Sequence, residues 1–480
     1  MPVFRHRIEL DHPVETVFAW HRMPGAFDRL SPPWENVRVR EKAGGIEPGG
    51  RVVLEMRRGP ATLTWEVEHT AYEENRLFVD EQISGPFAAW RHEHRFEPLG
   101  PDRSALEDVV TWEAPLGSLG ETFGRGYIER SLERLFQFRE ARLTGDLELH
   151  RRLRTLRARP GVTGDPPPLT VAITGATGLI GTQLTHLLTT GGHAVRRVTR
   201  SPEAGSSDVG WDPARGEIDA EALEGVDAVV HLAGEPIVGA RWTDAKKKSI
   251  RRSREAGTLL LARTLAGFRK KPAVLVSGSA VGYYGNRGDD VITEASGAGK
   301  GFLSEVCVAW EQAAQPARAA GIRTVLLRTG IVLSAEGGVL GTMLLPFKIG
   351  VGGRLGSGRQ YMPWIDLDDH LGLILHALGH PEVSGPMNAT APNPVPNAAF
   401  TDVMGRVLGR PTLLPVPGFA IRTLMGEMGD ELLLQGQRAV PEKARSTGYV
   451  FLRPELEDAL RVQLGRFGDD EEDTGGGGGR

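Results

Sequence analysis

Apolar and polar residues alternate along residues 3–10, 35–42, 50–58, 61–71, 76–83, 88–97 and 104–112, the period-two pattern of half-buried strands. Residues 13–20 break this run with helical spacing behind Pro13, which suits a first helical turn. A long amphipathic stretch over residues 119–143 follows, with Phe123, Tyr127, Ile128, Leu132, Leu135 and Phe136 recurring at helical intervals. From residue 169 the pattern changes. Apolar strands are predicted at 170–174, 194–199, 228–232, 273–277 and 324–329, with helices near 180–190, 243–268 and 302–320 between them. Such alternation predicts a parallel sheet with helices on both faces.

Composition marks the boundaries. Residues 151–168 are basic, then rich in glycine and proline, and read as a linker; residues 468–480 are acidic, then glycine-rich, and read as a disordered tail. The expected plan is therefore a domain over 1–150, the linker, a second domain over 169–379, and a C-terminal lobe over 380–467.

At 480 residues, with 40% hydrophobic and 25% charged positions, the chain has the make-up of a globular protein of two or three domains. A formal net charge of −4 argues against a nucleic-acid partner, since no basic excess is present to displace phosphate counterions. Cys307 is the single cysteine, which excludes an internal disulfide and a multi-cysteine metal site; its apolar neighbours make it an inert buried thiol. No apolar run is long enough to span a bilayer and no secretory signal opens the chain, so a cytoplasmic location is expected. No metal site is expected, because His92 and His94, alternating along one strand, are not accompanied by an evident cluster.

The chemistry concentrates after the strand at 170–174. The run Thr174-Gly-Ala-Thr-Gly-Leu-Ile-Gly181 leads from that strand into a helix. Gly175 permits a tight turn, Gly178 lets the backbone approach a pyrophosphate, and Gly181 lets helix and strand pack closely. Thr177, Leu179 and Ile180 complete the loop, and the helix N-terminus offers amide donors to phosphate. At the end of the second strand stand Arg200 and Ser201, with no carboxylate to take the ribose hydroxyls of NAD. A guanidinium there suits the 2′-phosphate of NADP(H).

The glycine spacing resembles that of extended short-chain dehydrogenases/reductases. Within that superfamily, Trp211-Asp-Pro213, Gly234-Glu-Pro-Ile237, Ser279-Ala-Val-Gly-Tyr-Tyr-Gly285, Pro363-Trp-Ile-Asp366 and Gln435-Gly-Gln-Arg438 resemble the nucleoside-diphosphate-sugar epimerase-like branch. The resemblance implies an NADP(H) site that adds Leu232, Ala233, Gly234, Glu235, Arg254, Ser277, Arg328, Thr329 and Gly330 to the glycine loop. It also implies a catalytic Ser279. The superfamily's Tyr-x-x-x-Lys pair is missing: the register set by Glu311 puts Leu303 and Cys307 at those positions. Tyr283, Tyr284 and Glu305 are the remaining acid–base candidates, with Arg254 as a substitute cation.

The element order of residues 1–150 resembles the helix-grip fold of the START-like superfamily, which includes polyketide cyclases. That resemblance implies an apolar cavity for a hydrophobic ligand, with Trp20, Phe27, Trp34, Trp65, Phe87 and Trp90 as candidate lining residues. The expected fold is thus an α+β helix-grip domain followed by a Rossmann-type α/β doubly wound parallel sheet with a small lobe. The expected function is NADP(H)-dependent oxidoreduction or epimerisation of a small molecule. The alternative is a catalytically silent NADP(H)-binding sensor or scaffold acting on the first domain's ligand. A homodimer is open on either view.

Overall fold

Seven antiparallel strands of the first unit form one sheet: β1 (Val3–Leu10), β2 (Val37–Ala43), β3 (Arg51–Arg58), β4 (Ala61–Glu73), β5 (Leu77–Ser84), β6 (Ala89–Gly100) and β7 (Arg103–Glu113). Their order is β1-β7-β6-β5-β4-β3-β2. The computed structural model describes residues 1–468 apart from 36, 59–60, 116–117, 159–160, 162–163 and 240. Helices α1 (Val14–Arg22), α2 (Ala26–Arg29) and the 40-residue α3 (Ser118–Arg157) accompany the sheet. Two compact units result, the first built from Met1–His150 and the second essentially from Arg151–Leu188 and Gly192–Gln463. Helix α3 runs to Arg157, so the stretch expected to be linker from residue 151 begins as helix. The tail expected to be disordered lies, from residue 469, outside the described residues, as does the side chain of Phe123.

The first unit's core forms where strand alternation turns apolar residues inward against α1 and α3. Leu10, Phe18, Phe78, Phe96, Leu106, Leu143 and Leu147 make one cluster; Trp90, Val110, Trp112, Leu132 and Phe136 make a second. Each fully buried side chain of this size contributes roughly 1.5–3 kcal/mol. One small pocket in this unit has room for about a single water molecule. His6, His21, His94, Asp108, Arg139 and Glu140 line it beside Ile8, Leu30, Leu106, Phe136 and Leu143, and none of the six candidate aromatics does. The expectation that no histidine–carboxylate cluster is present is corrected: Asp80, His92 and His94 bring ligand atoms within 4.8 Å of one another. The partners come from separate strands, so no local spacing announced them.

The second unit begins with β8 (Thr170–Thr174), α4 (Leu179–Thr190), β9 (Ala194–Thr199), β10 (Val209–Asp212), β11 (Glu217–Ile218), α5 (Ala220–Leu223), β12 (Ala228–His231), α6 (Asp244–Gly267) and β13 (Val274–Ala280). It continues with β14 (Val291–Ile292), α7 (Phe302–Ala313), α8 (Gln315–Ala319), β15 (Arg323–Thr329), β16 (Ile331–Leu333), α9 (Gly338–Lys348), β17 (Tyr361–Met362), β18 (Trp364–Asp366), α10 (Leu367–Gly379) and β19 (Gly385–Ala389). The main sheet has the order β11-β10-β9-β8-β12-β13-β15-β19. All its pairs are parallel except β10 with β11. The direction of winding reverses between β8 and β12, the switch point at which open α/β sheets hold ligands beyond the strands' carboxyl ends.

Three differences have local causes. The helix expected over 302–320 breaks at Ala314, because Pro316 lacks an amide to continue the bonding. Strands β10 and β11 are only four and two residues long, too short for a periodic signal. Strand β19 was not expected, since it contains Gly385 and Pro386, yet it pairs with β15 at the sheet edge, where proline is tolerated. The sheet therefore draws its last strand from the segment expected to belong to the C-terminal lobe. Among the described residues, no helix is long and apolar enough to cross a membrane.

Candidate functional site

Thr174, the last residue of β8, ties the glycine loop to the loop after β12. Its hydroxyl accepts from the amides of Leu232 and Ala233 at 3.1 and 3.2 Å, and its Oγ1 lies 2.7 Å from His231 Nδ1. His231 in turn meets Thr258 of α6 at 2.8 Å through Nε2. Burial, then the nearby Arg254 charge, lowers the His231 pKa to about 4, so the ring is neutral at pH 7.

Gly175 has φ 70°, and a Cβ there would press to 3.0 Å against the Ala233 amide nitrogen. At Gly181 a Cβ would sit 2.8 Å from Ala176 Cα and closer still to the Gly175 carbonyl oxygen. Only glycine lets α4 start this close to the strand. The first-turn amides at Leu179, Ile180 and Gly181 have no intrahelical acceptor by helix geometry, and Thr177 and Gly178 are exposed beside them. The cradle fits a pyrophosphate.

Beyond β9, Arg200 and Ser201 are both exposed. Arg197 is occupied by Asp208 through two 2.8 Å bonds. Among the described residues Arg200 has no such carboxylate partner, which leaves its guanidinium available to a phosphate.

Beside Gly234 lies Arg254 of α6, 7% exposed. Its Nη1 donates to the carbonyl oxygens of Glu235 and Ile250 at 2.9 and 3.2 Å, and its Cζ stands 4.9 Å from the Trp310 ring centre. The Glu235 carboxylate is turned instead to Lys246 Nζ, 2.6 Å away. Arg254 is thus a largely buried cation held by carbonyls and an aromatic ring, and burial pulls its pKa down. Such a group favours an anionic neighbour.

At the carboxyl ends of β13 and β15 the register sets Ser279 beside Arg328. Both bond Glu311 of α7: Ser279 Oγ donates to Oε1 at 2.7 Å, while Arg328 Nε and Nη2 donate to Oε1 and Oε2 at 2.8 and 2.9 Å. Arg328 Nη1 also donates to the Tyr284 hydroxyl at 2.9 Å, which donates to Asn388 Oδ1 at 2.7 Å. Tyr284 is fully buried and its pKa is pushed up to about 12, chiefly by burial. This corrects its assignment as an acid–base group: both roles of its hydroxyl are taken. Arg328, expected to bind cofactor, is committed to Glu311. Ser277 is fully buried and its hydroxyl donates to the adjacent Gly278 carbonyl oxygen, and Gly330 is packed against the Pro363 carbonyl. Thr329 faces His370, with Oγ1 3.0 Å from Nε2.

Tyr283 differs from its neighbour. It is half-buried, its ring centre lies 3.5 Å from Arg328 Cζ, and its hydroxyl has no protein partner among the described residues. Ser304 Oγ fixes its backbone by donating to its carbonyl at 2.8 Å. Leu303 and Cys307 pack against the preceding turn at Gly282, and burial pushes the Cys307 thiol up to about 12. Glu305 is exposed on α7, away from the Ser279–Arg328 network.

Glu311, Asn388 and Glu431 were not anticipated. Glu431 accepts from the amides of Phe302 and Leu303 at 2.9 and 3.0 Å and so caps α7 from the C-terminal segment. Lys247 likewise reaches Glu427 at 2.9 Å. These carboxylates lie far along the chain from their partners, and nothing local in the sequence marks them.

Residues 171–389 match the family described as NAD dependent epimerase/dehydratase, residues 10–136 match polyketide cyclase/dehydrase and lipid transport, and residues 416–462 match a domain of unknown function, DUF1731. An epimerase family protein of Mycobacterium tuberculosis is 47% identical over 298 residues, covering 62% of this chain and 98% of that protein. The human epimerase family protein SDR39U1 is 38% identical over 294 residues, covering 61% and 98%. Among solved structures, a nucleoside-diphosphate sugar epimerase of Corynebacterium glutamicum has a TM-score of 0.79 at 32% identity, covering 96% of this chain and 90% of its own. Human SDR39U1 solved with NADPH has a TM-score of 0.57 at 36% identity, covering 62% and 99%. With the glycine cradle, the sheet order and these likenesses together, the chain belongs to the epimerase family of extended short-chain dehydrogenases/reductases, and it carries a polyketide cyclase-type domain ahead of that fold.

Proposed function

We propose that the second unit binds NADP(H) and carries out oxidoreduction or epimerisation of a small molecule, with Tyr283 as the proton donor and acceptor. The observation that carries the cofactor assignment is the pairing of the Gly175–Gly181 cradle with an exposed Arg200 where NAD-selective sites place a carboxylate. The NADPH in the human relative's structure supports it. Bound nicotinamide supplies a hydride donor or acceptor. The chain's own part is positional. The α4 amides hold the pyrophosphate, Arg200 and Ser201 take the 2′-phosphate, and Arg254 puts positive charge beside the loop after β12. Ser279, Glu311 and Arg328 form a fixed floor on which the Tyr283 ring rests, which orients its hydroxyl for a proton at the substrate oxygen.

Leu303 and Cys307, standing where the superfamily's Tyr-x-x-x-Lys pair is expected, favour a second reading: a cofactor-binding protein without turnover, serving the ligand of the first unit. Both readings are tested by NADPH oxidation against carbonyl compounds and nucleotide sugars. Tyr283→Phe is expected to abolish turnover while leaving NADPH affinity within about twofold, since a phenol's lost proton transfer is worth about 100-fold or more. Normal turnover by the variant removes Tyr283 from the site. A wild-type chain that binds NADPH and turns over nothing in the panel favours the second reading.

A further inference from the structure

On one face of the first unit's sheet, strand register gathers four ionisable side chains from three strands. Asp80 of β5 stands opposite His92 of β6, and His94 stands opposite Asp108 of β7. Residues two apart on a strand share a face, so His92 and His94 lie side by side with ring centres 3.8 Å apart. Both histidines and Asp108 are more than nine-tenths buried.

The spacing differs on the two sides of the ring pair. Asp108 Oδ1 accepts a hydrogen bond from His92 Nε2 at 3.0 Å and lies 2.7 Å from His94 Nδ1, which are hydrogen-bonding distances. Asp80 Oδ1 lies 3.3 Å from His92 Nδ1 and 3.5 Å from His94 Nε2. Ligand atoms bonded tetrahedrally to one ion at about 2.0–2.1 Å are separated by about 3.4 Å. On the wider side Asp80 stands at a fellow ligand's distance from a nitrogen of each histidine, with all three ligand atoms within 4.8 Å of one another, and on the narrower side Asp108 stands as the carboxylate behind them.

We propose that Asp80, His92 and His94 bind a divalent transition metal, zinc in the first instance, with Asp108 as the outer carboxylate that orients both rings. Metal-bound histidines commonly give their second nitrogen to a carboxylate, and here one Asp108 oxygen stands within 3.0 Å of a nitrogen of each ring. Phe78 stacks on His94 at 4.0 Å, and Phe136 stands edge-on to His92 at 5.5 Å, so the rings are held before any ion arrives. Two imidazole nitrogens with one carboxylate select zinc or ferrous iron over calcium and magnesium, which take oxygen shells. Three protein ligands leave a fourth position for water or a bound molecule. The site lies wholly on strands of the first unit.

The full chain, purified without chelator or a histidine tag and dialysed against zinc and then metal-free buffer, is expected to retain about one zinc per chain. Cobalt(II) in its place is expected to show the strong visible bands of low coordination, lost on adding zinc. Asp80→Asn and His94→Ala are expected to abolish retention, and Asp108→Asn to weaken it on the order of 10–100-fold. Because substitutions in this core can unfold the unit, the wild-type chain carries a separate test: zinc raises its thermal midpoint and a chelator reverses the rise. A wild-type chain with no retained metal and no zinc-dependent midpoint overturns the proposal. So does equal zinc retention by a folded Asp80→Asn variant.

Discussion

Replacing Glu311 by glutamine keeps the side chain's shape and removes its charge. The wild-type carboxylate is 10% exposed and Arg328 is 4% exposed, so the pair is shielded from water. Glu311 accepts three hydrogen bonds, two from Arg328 and one from Ser279. A glutamine has one acceptor oxygen, and its amide must face at least one of those donors. Arg328 is then left as a buried cation whose other contacts are the Tyr284 hydroxyl and two aromatic rings. Breaking a buried pair in this way costs about 3–5 kcal/mol, whereas losing the exposed Arg422–Asp430 pair costs at most about 1 kcal/mol. Ser279→Ala, which removes one donor only, is expected to cost about 1 kcal/mol. Urea unfolding followed by hydrogen exchange in α7 and β15 reports on the second unit alone, and Glu311→Gln is expected to lower its midpoint by roughly 1 M. The double variant Glu311→Leu/Arg328→Met removes both charges and is expected to recover most of the loss. A Glu311→Gln cost under about 1 kcal/mol, or a double variant as unstable as the sum of its singles, refutes the buried-pair reasoning.

Arg200→Glu is expected to weaken NADPH binding by about 10–100-fold while leaving NADH almost unchanged, read by nicotinamide fluorescence; equal losses for both contradict the 2′-phosphate assignment. Gly181→Ala forces a Cβ into the Gly175 carbonyl and Ala176, so a stability loss of about 1–3 kcal/mol and a parallel fall in affinity for both nucleotides are expected. Unchanged dissociation constants would show that the loop yields freely. His231 is neutral in the folded state, with its pKa lowered to about 4 from 6.5. Between those values the unfolded chain binds more protons, so this contribution is complete above pH 6.5 and is lost as pH falls toward 4, by about 3 kcal/mol in full. Non-titrating His231→Gln should flatten that part of the pH–stability curve; coincident wild-type and variant slopes over this range would count against it.

What the chain discloses locally differs from what its register discloses. The glycine loop was legible because its turn, close approach and helix start all depend on neighbours within one short run, and β8 and β9 were legible because their apolar runs end in turn residues. The Ser279–Glu311–Arg328 network was not, since it exists only once β13 and β15 pair and α7 packs across them. Glu311 had served merely to align a helix. The Asp80–His92 and His94–Asp108 pairs are likewise products of register, and alternation alone showed that the two histidines share a face without showing what stands opposite. These hidden pairings change how the missing Tyr-x-x-x-Lys pair is understood. Leu303 and Cys307 make α7 apolar where it faces the turn at Gly282, yet α7 still supplies Glu311 one turn further on, and that carboxylate fixes a strand-borne arginine beneath Tyr283. Charge lost from the helix is thus matched by charge organised on the sheet, and the polar character of this crevice rests on β13 and β15.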